Sequence, residues 1–179
     1  PKKLRFITTS EMKETKTNKT NAARILDKEK IKYDLVPYEV DENDLSAIHV
    51  ASQLKEPIER VFKTLVLQGN KTGIFVCVIP GKEEVDLKKA AKFSGNKNCD
   101  LIPMKEILGL TGYIRGGCSP IGMKKNYPTY FHHTASEFDY IYVSAGIRGL
   151  QIKTDPSSLI KCCRAEICDL IIEEKEEED

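Results

Sequence analysis

Residues 61–80 read VFKTLVLQGNKTGIFVCVIP, and this stretch decides the fold. Two apolar runs rich in β-branched residues, 61–67 and 73–80, flank the polar turn 68–72. Runs of this length around a turn that contains Gly and Asn are typical of a β-hairpin. We therefore expect two antiparallel strands here.

Further short helices and strands are predicted on both sides of the hairpin. On the N-terminal side we expect a helix from about Asn21, a strand at 33–40 with Pro37 at an edge or a bulge, and a helix capped by Ser46. On the C-terminal side the pattern predicts helices that start at Asp86, Pro103 and Asp155, and strands at 99–102, 129–131, 140–145, 150–153 and 165–172. Because strands and helices do not alternate regularly, the fold class is α+β with a mixed or antiparallel sheet.

The length of 179 residues suits a single domain with one core. Residues 1–19 are rich in Thr and Lys and lack periodicity, so we expect an N-terminal extension, a domain at 20–172 and an acidic tail at 173–179. Residues 1–20 carry a net charge of +4 and residues 173–179 a net charge of −5, so the domain itself is nearly neutral. This balance argues against broad RNA binding but permits a local phosphate site.

The six cysteines, at 77, 99, 118, 162, 163 and 168, lack the density of a disulfide scaffold and form no CxxC pair for zinc. We expect reduced thiols in a cytoplasmic protein. The vicinal pair Cys162-Cys163 leaves a thiol-redox protein as an alternative, although adjacent residues on a helix are poorly placed to bridge. No stretch has the roughly 20 apolar residues of a membrane-spanning helix, so we expect no membrane partner.

Lys63 is the first candidate for chemistry. In a strand it shares a face with Val61, Leu65 and Leu67, and the opposite face is also apolar. The pattern therefore predicts a partly buried lysine. Two interpretations stay open: a functional lysine in a site, or a lysine whose ammonium reaches solvent at a sheet edge.

The glycine-rich stretch 112–122, GYIRGGCSPIG, is the second candidate. Paired glycines let the backbone approach a ligand and present free N–H groups. Arg115, Lys124 and Lys125 flank the stretch and can meet phosphate. Because it is neither a P-loop nor GxGxxG, a glycine-rich turn with solvated charges is the alternative.

The third candidate is 143–149, VSAGIRG, where a predicted strand ends at Ser144. It lacks the GxSxG frame of a nucleophile elbow, and no histidine has a marked partner, which argues against a serine-hydrolase triad. His132-His133 has no carboxylate at a ligand-like spacing, so we expect no metal. Cys118 has no neighbour in the sequence that would lower the pKa of its thiol.

Four motifs in order resemble one family. They are FKTL at 62–65, LKKAAK at 87–92, the segment from TGY at 111–113 to GGCSPIG at 116–122, and YVSAGIRGL at 142–150. Together they are similar to the YbaK/EbsC family of aminoacyl-tRNA deacylases, and within it to the Cys-tRNA(Pro) deacylase branch, over about residues 20–172. The resemblance implies a single α+β domain built on a mixed, barrel-like sheet with surrounding helices.

The resemblance also implies trans-editing. The substrate would be the acceptor end of a mischarged tRNA, above all Cys-tRNA(Pro), which prolyl-tRNA synthetase makes because its pocket rejects cysteine poorly. The protein would act by positioning, with the substrate's own thiol attacking the ester, so that no cofactor is implied. The alternative is a non-catalytic regulatory module of the same fold that binds a tRNA end or a nucleotide.

The family's functional positions map onto ten residues of this chain. The implied catalytic residues are Lys63, Gly116, Gly117 and Ser144, and the implied substrate-binding residues are Tyr38, Thr64, Ser119, Pro120, Arg115 and Arg148. In this mapping Lys63 binds the 3′-terminal phosphate or polarises nearby groups, and the glycine amides hold oxyanion charge.

Three positions depart from the family pattern. Ile147 stands where lysine is frequent, and Gln151 where a carboxylate or hydroxyl is frequent. Both departures bear on the tRNA contacts and on the amino acid removed. Cys118 replaces an aliphatic residue, and we expect it to be a packing residue.

Overall fold

The computed structural model describes residues 19–173. The predicted N-terminal extension and acidic tail, apart from Lys19 and Glu173, lie outside the described residues. Within the described range the helices are α1 Asn21–Lys28, α2 Ala47–Leu54, α3 Leu87–Ser94, α4 Ile107–Thr111 and α5 Pro156–Cys162. The strands are β1 Tyr33–Pro37, β2 Phe62–Gly69, β3 Gly73–Pro80, β4 Cys99–Leu101, β5 Thr129–His132, β6 Ile141–Ser144, β7 Leu150–Thr154 and β8 Glu166–Cys168.

The strands form two open sheets. The larger has the order β4-β2-β3-β5-β8, with β2 antiparallel to β3 and β4, and β5 parallel to β3 and β8. The smaller is antiparallel, in the order β1-β7-β6. Only a single bridge, between Val61 and Tyr142, joins them among the described residues. The α+β class and the mixed sheet are confirmed, whereas a closed barrel is not, because β1 and β4 remain edge strands.

The predicted hairpin is confirmed as the centre of the larger sheet. β2 and β3 pair along their whole length, from Phe62 opposite Pro80 to Gly69 opposite Gly73. The predicted helix starts are also confirmed where a side chain caps the first turn. Ser46 accepts from the His49 N–H, and Asp155 accepts from the Ser158 N–H.

Three element boundaries differ from the prediction by more than two residues. The first strand is Tyr33–Pro37 rather than 33–40. Pro103 is followed first by a 3₁₀ turn, Met104–Glu106, and only then by α4. The last strand is Glu166–Cys168 rather than 165–172. It stops early because the Leu170 N–H donates to His132 Nδ1 and the Leu170 carbonyl accepts from Asp86, so that this backbone leaves the sheet ladder.

The main core lies between the two sheets. Large side chains from both sheets and from the terminal helices are fully buried there, among them Leu26, Phe131, Ile141, Ile152 and Leu159. This packing fixes β2 of the larger sheet against β6 of the smaller one, and the candidate site forms where those strands meet. No helix in residues 19–173 is long and apolar enough to cross a membrane.

Candidate functional site

A cleft of about 500 Å³ opens where β2, β6 and β7 meet the glycine-rich loop. Five of the ten predicted site residues line it: Lys63, Thr64, Arg115, Gly116 and Ser144. The structure thus brings together residues that are widely separated in the sequence. A larger depression, of about 1210 Å³, holds none of the predicted catalytic residues.

Lys63 lies on β2, opposite Ile79 of β3, and lines the cleft. It is half-buried, as the strand phase predicted. Burial lowers the pKa of the Lys63 ammonium from its ordinary value, while the carboxylates of Glu84 and Glu83 oppose that shift. The Lys63 ammonium is therefore poorly solvated, and an anion that enters the cleft would stabilise its charge.

The charged side chains of the cleft are positive. Lys63 and Arg115 are the charged residues among the described residues that line it, and no carboxylate or histidine is among them. Arg115 is exposed at the mouth, where its guanidinium makes one weak contact, 3.5 Å from Met104 Sδ. Two cations that form no ion pair with another described residue make this a cleft for an anion.

The polar floor of the cleft holds hydrogen-bonding atoms without partners. Thr64 Oγ1 and Gln151 Oε1 are buried and have no hydrogen-bond partner among residues 19–173. Gln151 lies on β7 directly opposite Ser144 of β6, whose Oγ accepts from the Gly146 N–H at 3.1 Å. Buried polar atoms are nearly always paired in folded proteins. Unpartnered atoms at the floor of a cleft therefore point to a polar ligand.

The two glycines of the loop behave differently. Gly116 has φ of +82°, a left-handed conformation that favours glycine, and its N–H has no acceptor among the described residues. The Gly117 N–H donates to the Ile114 carbonyl at 2.9 Å. Of the pair, only the Gly116 amide is thus free for a ligand, and Gly117 serves the turn.

Arg148 fastens this loop to the rest of the site. Its Nε donates to the Arg115 carbonyl at 2.8 Å, and its Nη1 pairs with the Glu42 carboxylate at 2.6 Å. A Cβ added at Gly117 would lie 3.2 Å from the backbone of Ile147 and Arg148. The loop is therefore packed directly on the segment that follows Ser144.

Gly117 and four further predicted residues lie outside the cleft lining. Tyr38 packs in a small cluster with Val50 and Tyr142. Ser119 is fully buried and accepts from the Ile121 N–H, while Pro120 lines the larger depression. Together with Arg148, these residues shape the surroundings of the cleft, and their roles in substrate binding stay predictions.

None of the described residues around the cleft is an activated nucleophile. Cys118 lines it, but burial raises the pKa of the thiol to about 11, against a lowering by a hydrogen bond from Thr111. The thiol is therefore protonated at neutral pH and unreactive. Chemistry in this cleft must come from positioning, from the free amide and from the two cations.

One wall of the cleft is apolar, and it was not predicted from the sequence. It comprises Leu101, Met104 and Ile107, from the end of β4 to the start of α4. Leu101 and Met104 are half-exposed or more, at 50% and 57%. Apolar residues in a short irregular segment carry no periodic signal, so sequence patterning did not mark this wall.

His132 and His133 lie close to Asp169, which the spacing along the chain did not reveal. Burial is the main cause that lowers the pKa of His132 to about 4, and the neighbouring His133 lowers it further. The neutral ring accepts from the Leu170 N–H through Nδ1 at 3.1 Å, and the Asp169 carboxylate accepts from Lys89 Nζ at 2.8 Å. Since His132 and Asp169 already have internal partners, their contacts serve to hold the chain after β8.

Comparison with known proteins defines the class of the fold and site. Residues 42–162 match the family model of the aminoacyl-tRNA editing domain, and the chain belongs to that family. It is 46% identical, over 87% of its length and 95% of the relative's, to the Enterococcus faecalis protein named "Putative Cys-tRNA(Pro)/Cys-tRNA(Cys) deacylase EbsC". The predicted YbaK/EbsC membership is thereby confirmed.

Solved structures share the fold at lower identity. One is described as "a putative trans-editing enzyme for prolyl tRNA synthetase", with a TM-score of 0.73, 22% identity, and coverage of 86% of this chain and 99% of that one. Another is described as "hypothetical protein APE2540", with a TM-score of 0.76, 20% identity, and coverage of 83% and 97%. These likenesses establish the fold.

Proposed function

We propose that this protein removes a wrong amino acid from mischarged tRNA, with Cys-tRNA(Pro) as the preferred substrate. The observation that carries the proposal is the cleft itself: two unpaired cations at its wall and mouth, and unpartnered polar atoms on its floor. An aminoacylated RNA end offers the matching groups, a phosphodiester for the cations and a polar ester for the floor. Family membership and the name of the E. faecalis relative support this substrate.

The site residues act in this proposal by holding an ester that is already activated. Lys63 and Arg115 bind phosphates at the 3′ end, and the Gly116 N–H donates to the carbonyl oxygen as it gains negative charge. Thr64, Ser144 and Gln151 hold the aminoacyl group. Because the lining, as far as residues 19–173 show it, contains no carboxylate, no histidine and no reactive thiol, acceleration in this proposal comes from orientation.

Cysteine is the residue that fits such a site best, because it carries its own nucleophile. Its thiol attacks the ester carbonyl, a C–S bond forms, the ester C–O bond breaks, and the thiol proton ends on the tRNA 3′-hydroxyl. The products are a cyclic thiolactone and free tRNA. Alanine and proline lack this nucleophile, so their esters depend on water.

We further propose that the protein acts in the cytoplasm on tRNA mischarged by prolyl-tRNA synthetase. The tRNA named for the E. faecalis relative supports this source of the substrate. The six cysteines are free thiols in the structure, which agrees with a reducing compartment.

A deacylation panel tests the proposed function. Purified protein is incubated with Cys-tRNA(Pro), Ala-tRNA(Pro) and Pro-tRNA(Pro), and the amino acid left on the tRNA is followed over time. We expect fast loss of cysteine, slow loss of alanine and no loss of proline. Cys-tRNA(Pro) that decays no faster than in buffer, while still binding the protein, would instead identify a non-catalytic tRNA-end module.

S-methylcysteine separates self-attack by the substrate from simple hydrolysis. Methylation leaves the ester and side-chain bulk nearly intact but removes the thiol proton and the nucleophile. We expect S-methylcysteinyl-tRNA(Pro) to be at least as stable as the alanyl ester. Deacylation at the rate of the cysteinyl ester would contradict the thiol-assisted route and leave hydrolysis by water.

A further inference from the structure

The glycine-rich loop borders two depressions. Gly116 and Cys118 line the cleft, and residues 120–123 line the larger groove of about 1210 Å³. Cys118 and Pro120 are two residues apart, so their Cα atoms are separated by at most about 7 Å. The cleft and the groove therefore share this loop as a common border.

The groove carries a concentration of positive charge. Five exposed cations line it: Lys30, Lys32, Lys125, Lys161 and Arg164. None of their side chains makes a hydrogen bond or ion pair with another described residue. All five are therefore available to an external anion.

Acidic groups offset this charge only partly. Glu29 and Asp155 are the carboxylates among the described groove residues. Asp155 is committed to the start of α5, where it accepts from the Ser158 N–H at 2.9 Å and from the Ser158 hydroxyl at 2.8 Å. The net charge of the lining is clearly positive in a chain whose overall net charge is +1.

Stabilisation of helix ends does not explain why all five cations are present in the groove. Lys30 and Arg164 follow the ends of α1 and α5, where a cation is favoured by the helix dipole. Lys32 and Lys125 have no such position. Three separate parts of the chain thus contribute cations to one groove, which indicates a common ligand.

We propose that this groove binds the phosphate backbone of the RNA stem that leads to the esterified end in the cleft. The inference rests on the proposed function and adds a second contact surface for the same substrate. RNA matches the groove because every nucleotide carries a phosphate, so that one strand can meet several of the five cations, and because a tRNA that enters the cleft by its end continues past the shared loop.

A charge-neutralised variant tests the groove. Lys32, Lys125 and Lys161 are changed together to Gln, and the matched control changes Lys71, Lys92 and Lys97, three exposed lysines that line neither depression. Binding of uncharged tRNA(Pro) is measured for each protein from 50 to 200 mM salt. Deacylation is measured on Cys-tRNA(Pro) and on the trinucleotide CCA esterified with cysteine, which has no stem.

We expect the groove variant to bind tRNA(Pro) more weakly at low salt and with a flatter salt dependence. Three lost phosphate contacts reduce the slope of log affinity against log salt by about 2.7, so that the wild-type affinity falls about 40-fold more than that of the variant over this range. KM for Cys-tRNA(Pro) should rise, while turnover of the esterified trinucleotide stays unchanged.

Other results would overturn the groove proposal without touching the proposed function. One is an unchanged salt slope in a groove variant that still deacylates Cys-tRNA(Pro). Another is an equal change in the control variant, which would make the effect one of overall charge. Equal loss of activity on the trinucleotide would show that the substitutions act on the cleft. The binding measurement uses uncharged tRNA, so it tests the groove whether or not deacylation is observed.

Discussion

Changing Lys63 to Met should move activity and stability in opposite directions. The substitution removes the ammonium but keeps a side chain of similar length in the wall of the cleft. Lys63 is half-buried and burial lowers the pKa of its ammonium, so the folded chain holds a charge that it solvates poorly. The unfolded chain does not bear that penalty.

Replacing a poorly solvated charge with an apolar group should raise the free energy of unfolding by about 1 kcal/mol, within a range of roughly 0.5–2. For a chain of this size that corresponds to a rise in the thermal midpoint of about 2–4 °C. Deacylation of Cys-tRNA(Pro) should fall by about 10²-fold, because loss of the phosphate contact of Lys63 misplaces the ester, and positioning provides the rate.

The stability difference should also depend on pH. The folded-state pKa of Lys63 lies below its unfolded value, so the penalty is fully present at neutral pH. It disappears as pH rises toward the ordinary lysine pKa of about 10.4, because the folded wild type then gives up its proton before the unfolded chain does. The advantage of the Met variant should therefore shrink between neutral and alkaline pH.

The assays are thermal unfolding at several pH values and single-turnover deacylation. The control is Lys97→Met, an exposed lysine outside both depressions, which should change neither quantity. Wild-type activity in the Lys63 variant would remove this residue from the site. A lower midpoint at neutral pH would refute the argument that its charge destabilises the fold.

Three further predictions concern neighbouring groups. Gln151→Leu removes a buried amide whose Oε1 has no partner, so the free energy of unfolding should be unchanged or higher by up to about 1 kcal/mol. The KM for Cys-tRNA(Pro) should rise, and a wild-type KM would contradict a role for the amide. Cys118→Ser should keep most of the deacylase rate, because a thiol with a pKa of about 11 is no nucleophile at neutral pH, and a loss comparable to that of Lys63→Met would show otherwise. Tyr142→Phe removes a 3.0 Å hydrogen bond to Glu56 and should lower the free energy of unfolding, measured by chemical denaturation, by about 1.5 kcal/mol. The folded variant should keep its activity. An unchanged denaturation midpoint would mean that this hydrogen bond does not stabilise the fold.

Local patterns in the sequence were enough to predict most elements of the fold. The hairpin and the caps Ser46 and Asp155 depend on residues close in the chain, and the structure confirms them. The length of the last strand was wrong, because contacts of Leu170 with His132 and Asp86 end it, and those partners are distant in sequence. Closure of the sheet also depends on distant strand pairs, which periodicity does not report.

The candidate site was predictable in its polar residues and less so in its geometry. The phase of β2 indicated that Lys63 is partly buried, and the ordered motifs connected it with Gly116 and Ser144. No pattern distinguished the free amide of Gly116 from that of Gly117, since a turn hydrogen bond to Ile114 makes the difference. The unpartnered state of Gln151 likewise depends on what surrounds it in three dimensions.

The pairing of β1 with β7 has a consequence for how the protein folds as it is made. Tyr33 pairs with Thr154, about 120 residues later in the chain, whereas β2 and β3 pair across a short turn. Contacts so distant form late, since the loop between them must close first. On the ribosome the hairpin with Lys63 can form early, but the floor with Ser144 and Gln151 must wait for most of the chain. The cleft should therefore be among the last parts of the molecule to assemble.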